Sequence, residues 1–421
     1  MRELLITVAT GITGGLDSLY VKEILGANAV TLGMLASLWS VSFLLFIWIS
    51  GWLSSYYDQK KILLLGTALT IPNPLIFALT PDWRLTIIVN ILAALGTALV
   101  APSKVSLLFS SSEQKSRSRS IAMITTLTNL ANAVIPPIGA IAIQSMGGLN
   151  EIRKMFLIQF ALSVAVYFYT SKALKNKHEN RRSKSKNLTA VIKDIFTQMG
   201  EVYKISKERK ARAWLFLSLT GPWAWEIVGP FWIIYAAEEC GSSLTILGLL
   251  TAVYSITSIL FLLPLANLSD KKGRKKVILL TRPFLYLCVI SLLIGGTIKN
   301  LWFVPFIPII AWIFRAIGSS SGPSWTAAST EVIPEELQGK WEATRDFLWR
   351  CMAIPASLLG GIFWSIDPRL PFLFAILIDG LLRFPTLIYF IPETLIVHRF
   401  RPKQLGRHIV LYGLPGSGQT S

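Results

Sequence analysis

Along this chain, apolar stretches of helical length recur between short polar, mostly basic intervals, and each stretch is long enough to cross a bilayer as a helix. Twelve such spans are predicted, centred near Gly11, Ser42, Ile71, Ala94, Leu130, Ala161, Glu226, Ile256, Cys288, Arg315, Ile354 and Ile378. The first begins almost at Met1, yet it contains Asp17 and lacks a clear small-residue cleavage site, so it reads as a retained helix rather than a signal peptide. The pattern predicts an all-α membrane protein.

Composition agrees. Of 421 residues, 52% are hydrophobic and only 15% charged, and the mean hydropathy of +0.55 is too high for a soluble domain of this length. The formal charge of +18 would suggest nucleic acid as the partner of a soluble protein. Its placement argues otherwise. One alternating set of loops carries 28 Lys and Arg, the other six, which puts the basic loops and both termini in the cytoplasm and the chain in the cytoplasmic membrane. The expected surroundings are lipid bilayer and a small-molecule substrate, with no nucleic acid, and the chain is expected to be a monomer. Cys240, Cys288 and Cys351 are too scattered for a metal or redox site, so no cofactor or metal is expected.

The intervals also divide the chain. A long basic segment at 171–212 separates a first half, 1–170, from a second, 213–396, with a tail at 397–421. Within that segment Leu188, Val191, Ile192, Ile195, Phe196, Met199 and Val202 share one helical face, which suggests an amphipathic helix on the inner membrane surface; a solvated linker is the alternative. The halves repeat at an offset of 215 residues. Tyr20 matches Tyr235, Glu23 matches Glu238, Gly26 matches Gly241, Gly33 matches Gly248 and Lys60-Lys61 matches Lys275-Lys276. Two repeated six-helix halves imply a central cavity and rocking of one half against the other.

At the repeated loop the residues resemble the major facilitator superfamily of secondary transporters. Ala266-Asn267-Leu268-Ser269-Asp270-Lys271-Lys272-Gly273-Arg274-Lys275-Lys276 is similar to its loop motif Gly-x-Leu-Ser-Asp-Arg-x-Gly-Arg-Arg, with Ala266 for the first glycine. The first-half copy, starting at Gly51, has Ser55 in place of the aspartate. The segment Val332 to Lys340 resembles the family's loop between helices ten and eleven, and Ile135-Pro136-Pro137-Ile138-Gly139-Ala140 a weak form of its helix-five motif. The resemblance implies twelve transmembrane helices around a central cavity and transport by alternating access. It also implies a gating loop: Asp270, Arg274 and Lys275, with Gly51, Ser269 and Gly273, would latch helix ends on the cytoplasmic side. The alternative is that the basic residues only set topology.

Ionisable residues inside spans are costly and mark candidate chemistry. Asp379 with Arg383, and Asp346 with Arg350, stand four apart and are expected to satisfy each other. Glu226 differs: Pro222 and Pro230 on either side predict a kinked or unwound helix around it, with Trp223 and Trp225 flanking the carboxylate. It is a candidate to bind a cation, to carry a coupling proton, or simply to hydrogen-bond a neighbouring helix. Pro136 and Pro137 mark a further expected kink. The resemblance places helices one, four, seven and ten at the cavity, hence Asp17, Asn90, Glu226 and Arg315. Asn90 stands where many proton-coupled drug exporters of the family carry an arginine. Arg315 is open to two readings, an anchor for an anionic substrate group or a counter-charge to Glu226.

The tail from His408 to Ser421 looks like the start of a nucleotide-binding loop, but Gln419 stands where its lysine belongs. The expected function is therefore secondary transport of a small solute, proton-coupled, with efflux of organic compounds favoured, rather than enzymatic activity. The rival expectation is a membrane sensor or assembly partner built on a transporter fold.

Overall fold

The computed structural model describes residues 1–111, 117–174, 188–208, 211–299, 301–334 and 337–392, with no strand among them. The side chains of 188–196 and the whole tail from 393 lie outside the described set, as do most side chains around Gly51. Among the described residues, ten helical segments are long and apolar enough to cross a membrane: Ala29–Ile47, Gln59–Leu79, Trp83–Lys104, Met123–Ser145, Leu149–Ala173, Leu244–Lys272, Arg274–Thr297, Val304–Thr330, Gln338–Ile366 and Leu370–Tyr389. Ten of the predicted centres fall inside them. The remaining two, Gly11 and Glu226, lie at interruptions in the first and seventh spans. The first span is the helix Arg2–Gly11 followed by Asp17–Glu23; the seventh is Arg212–Trp225, then the short turns Gly229–Phe231, Trp232–Ile234 and Tyr235–Glu239.

The 215-residue repeat is visible atom by atom where these spans end. Gly26 and Gly241 both adopt the left-handed conformation, at φ +72° and +67°, which only glycine enters without steric cost. Each lets the chain fold back the same way. The amide of Ala27 bonds the Val21 carbonyl at 3.1 Å and that of Ser242 bonds the Ala236 carbonyl at 3.0 Å. Tyr20, one turn earlier, donates to the Phe77 carbonyl at 2.8 Å, and Arg153 bridges Tyr20 to the Thr80 carbonyl. In the second half Arg369 reaches the Gly296 carbonyl, these two standing 216 residues after Arg153 and Thr80, and the Tyr235 ring packs on Gly296.

Lipid is as apolar as leucine, so helices in a membrane associate through close packing at small residues rather than through the hydrophobic effect. The halves meet in that way along two seams. Gly33 of the second span lies against the Ser357 carbonyl and Gly361 of the eleventh; its repeat partner Gly248, in the eighth span, lies against Ala140 and the Pro136 carbonyl of the fifth. Ser37 adds a hydrogen bond of 2.6 Å to the Ile354 carbonyl. Pro136 and Pro137 do not end their helix, which runs unbroken from Arg117 to Ser145; their backbone forms part of the seam. On the face opposite the basic loops, one apolar core joins Leu16, Tyr20 and Phe156 of the first half to Ile227, Phe231, Tyr235, Trp364 and Phe372 of the second. There Lys22 pairs with Glu238 across the halves, its ammonium 5.5 Å from the Trp364 ring centre.

The helix Leu188–Glu208 forms as the periodicity predicts. Its described end packs against the second half. Val202 is buried with Trp214 and Trp341, and Glu201 pairs with Lys340 at 3.1 Å.

Candidate functional site

The break in the seventh span begins with its prolines. Pro230 has no amide to give the Glu226 carbonyl, which instead accepts from the Gly229 amide at 3.1 Å and, at 3.4 Å, from the Ser357 hydroxyl of the eleventh span. The helix Arg212–Trp225 closes on the Pro222 carbonyl, which takes the amides of both Glu226 and Ile227. The Glu226 side chain stands half-buried at this opening. One carboxylate oxygen accepts from the Trp349 indole at 3.0 Å, and Trp349 itself fits only because Gly221 leaves room for its ring. No Lys or Arg pairs with Glu226 among the described residues. Of the flanking tryptophans, Trp225 faces the ninth and twelfth spans, its ring 6.0 Å from the Arg282 guanidinium, while Trp223 is half-buried.

The break in the first span is held by glycine. Gly14 and Gly15 take φ +67° and +71°, and the Leu16 amide reaches back to the Thr13 carbonyl at 3.2 Å. Asp17 starts the second piece with its side chain exposed. Opposite each break sits a glycine. A methyl group on Gly139 of the fifth span would overlap the Ile12 carbonyl, and one on Gly360 of the eleventh would overlap the Ile227 carbonyl; Ile12 and Ile227 are repeat partners.

Arg315, in the tenth span, is surrounded by aromatic faces. Its guanidinium carbon lies 4.3 Å from the ring centre of Trp232, 5.5 Å from Trp312 and 5.9 Å from Tyr254. It forms no ion pair with Glu226 among the described residues. Asn90, half-buried, donates to the Thr86 carbonyl of its own helix at 2.9 Å. No hydrogen bond or ion pair joins any two of Asp17, Asn90, Glu226 and Arg315 among the described residues.

The other charges within spans are answered locally. Asp379 meets Arg383 at 3.0 Å as its spacing predicts, but it also accepts from Arg282 and, at 2.7 Å, from the Tyr286 hydroxyl. Arg282 is buried in this cluster, and Arg383 also donates to the Leu217 carbonyl at 2.6 Å. Asp346 and Arg350 stand 3.6 Å apart, and the Arg350 guanidinium covers Trp39 and Phe43 of the second span at 5.0 and 4.8 Å.

In the basic loop, Gly273 turns the chain at φ +104° between the eighth and ninth spans. Arg274 pairs with Asp270, reaches Ser269 at 3.3 Å and pairs with Glu331 at the end of the tenth span at 3.2 Å. Lys275 donates to the Ile388 and Ile391 carbonyls at 2.7 and 2.8 Å, where the twelfth span ends. Both contacts stay within the second half. Glu331 carries no motif of its own and was not among the sequence candidates.

The family model of the Major Facilitator Superfamily matches the chain twice, over residues 4–225 and 214–408. Among curated proteins, the class H tetracycline resistance protein of Pasteurella multocida is 27% identical over 34% of each chain, and the class E protein of Escherichia coli 29% identical over 32% of this chain and 31% of its own. The chain thus matches about a third of the length of these relatives. Among solved structures, a D-xylose-proton symporter superposes with a TM-score of 0.70 at 15% identity, covering 93% of this chain and 96% of its own. A nucleoside transporter gives 0.68 at 12% identity, covering 92% and 98%. Matched along nearly its whole length by the family model, the chain belongs to the Major Facilitator Superfamily, as a multi-pass membrane protein.

Proposed function

We propose that the chain exports a small organic solute across the cytoplasmic membrane in exchange for protons, with both termini in the cytoplasm. The observation that carries this reading is Glu226: a carboxylate at membrane depth, at a helix break, held by a neutral indole and by no cation among the described residues. A group so placed is suited to gaining and losing a proton as the halves rock. The basic loops support the orientation. The tetracycline-resistance relatives support export of an organic compound, and the fold shared with a proton symporter is compatible with coupling. The loop around Asp270 and Arg274 serves as a latch of the cytoplasmic end of the second half.

Purified protein in proteoliposomes with an imposed pH gradient tests the reading, with tetracycline as the first probe. Gradient-driven flux should fall at least tenfold in Glu226→Gln while solute counterflow without a gradient persists. An unchanged pH profile would remove the coupling role. Asp270→Asn should slow turnover with binding retained, and equal loss of both would argue against a latch.

A further inference from the structure

We propose that Arg315 anchors an anionic group of the substrate, so that the transported solute is an organic anion with an apolar or aromatic body. This rests on the transporter reading and names the substrate class for it.

A guanidinium inside a membrane protein needs an answer to its charge, and apart from Arg212, which begins the seventh span and lies over the Tyr203 ring at 5.3 Å, every other arginine described within the second-half spans has a carboxylate. Arg282 and Arg383 share Asp379, Arg345 pairs with Glu342 at 2.7 Å, and Arg350 stands beside Asp346. Arg315 has none, nor any side-chain hydrogen bond among the described residues. What it has is three aromatic faces, from the seventh, eighth and tenth spans. Rings stabilise a cation through their faces. They leave unused the in-plane N–H edge, which is the part of arginine that binds a carboxylate, sulfonate or phosphonate in a two-point contact. The Arg315 side chain is only partly buried.

Position adds to the chemistry. Tyr254 lies one turn beyond Thr251, whose hydroxyl stands against Gly15 in the break of the first span. The cage thus lies close to the place where the second half meets the opened backbone of the first. Its ring faces are already occupied by Arg315, so an organic cation entering there would meet a like charge rather than a stacking surface. An anion would meet a guanidinium that no carboxylate answers among the described residues.

The test uses the purified full chain and three probes of one shape: 2-naphthoate, 2-naphthamide and 2-naphthylmethylammonium, followed by tryptophan quenching and thermal shift. Aryl sulfonates and phosphonates, each with a neutral isostere, extend the panel. At least one anion should bind tenfold or more tightly than its isostere, with the ammonium weakest, and Arg315→Gln should remove that preference. If Arg315→Gln does not purify, Arg315→Lys decides, since losing the planar fork should cut the preference at least threefold and leave the amide unaffected. The proposal is overturned if no anion in the panel beats its isostere, or if the preference survives Arg315→Gln. Anion binding without flux in proteoliposomes would leave the anchor standing and sink the transport reading; flux of neutral or cationic probes without anion preference would do the reverse.

Discussion

The first and seventh spans are broken at repeat-related positions by different means. In the first, Gly14 and Gly15 turn the backbone through the left-handed region. In the seventh, Pro222 and Pro230 flank the break, Pro230 withholding an amide, and the corresponding glycine, Gly229, keeps an ordinary φ. The helix facing each break nevertheless presents the same thing, a glycine pressed on the carbonyl of Ile12 or Ile227. Where a span opens and what opens it are therefore separable. The facing helix sets the place, and any residue type that frees the backbone there suffices. The halves differ further in charge, because Glu226, Arg315 and the Arg282–Asp379–Arg383 cluster all belong to the second.

That asymmetry is broken most severely by Asp379→Asn. Removing one partner of a buried charge cluster costs about 3–5 kcal/mol, so the variant should melt well below the parent and lose second-half loops to protease while the first half resists. Uniform proteolysis of both halves would show that the two do not unfold separately. The shared feature is probed by Gly139→Ala and Gly360→Ala, each of which forces a methyl group into a carbonyl. About 1–3 kcal/mol is expected from each, read as matched losses of melting temperature. A loss confined to one would show that the two breaks are not packed equivalently. The smallest effect sharpens the contrast between devices. Gly14→Ala should cost about 1–2 kcal/mol for a side chain at positive φ, whereas its repeat partner Gly229→Ala, with only the Glu226 carboxylate nearby at 3.8 Å, should change stability by less than about 0.5 kcal/mol. Equal costs in thermal unfolding would mean that the second break needs its glycine too.

Much of this was legible from single positions. Apolar length marks the spans, the offset of 215 marks the repeat, and prolines on both sides of Glu226 mark an interrupted helix. What escaped was whatever depends on pairing between distant spans. Spacing of four residues joins Asp379 to Arg383, but nothing local joins it to Arg282, 97 positions earlier. The rings around Arg315 come from three spans, and only Trp312 is near it in sequence. Glu331 becomes part of the Arg274 latch only once the tenth span is folded beside the ninth. The glycines facing the breaks were hidden for a different reason. Gly139 and Gly360 are 221 apart, so a search at the offset that aligns the first spans passes between them.

The seams at Gly33 and Gly248 have a mechanical consequence. Each brings backbone against a neighbouring helix with no side chain interleaved from the glycine side, and each is the other's image under exchange of the halves. Such surfaces behave as a pair of plain bearings. At the glycines themselves no rotamer has to be released when one body turns on the other, whereas further along the first seam Arg350 stacks on Trp39 and Phe43. A bulky residue at either glycine would act as a brake on the whole rotation rather than on one seam.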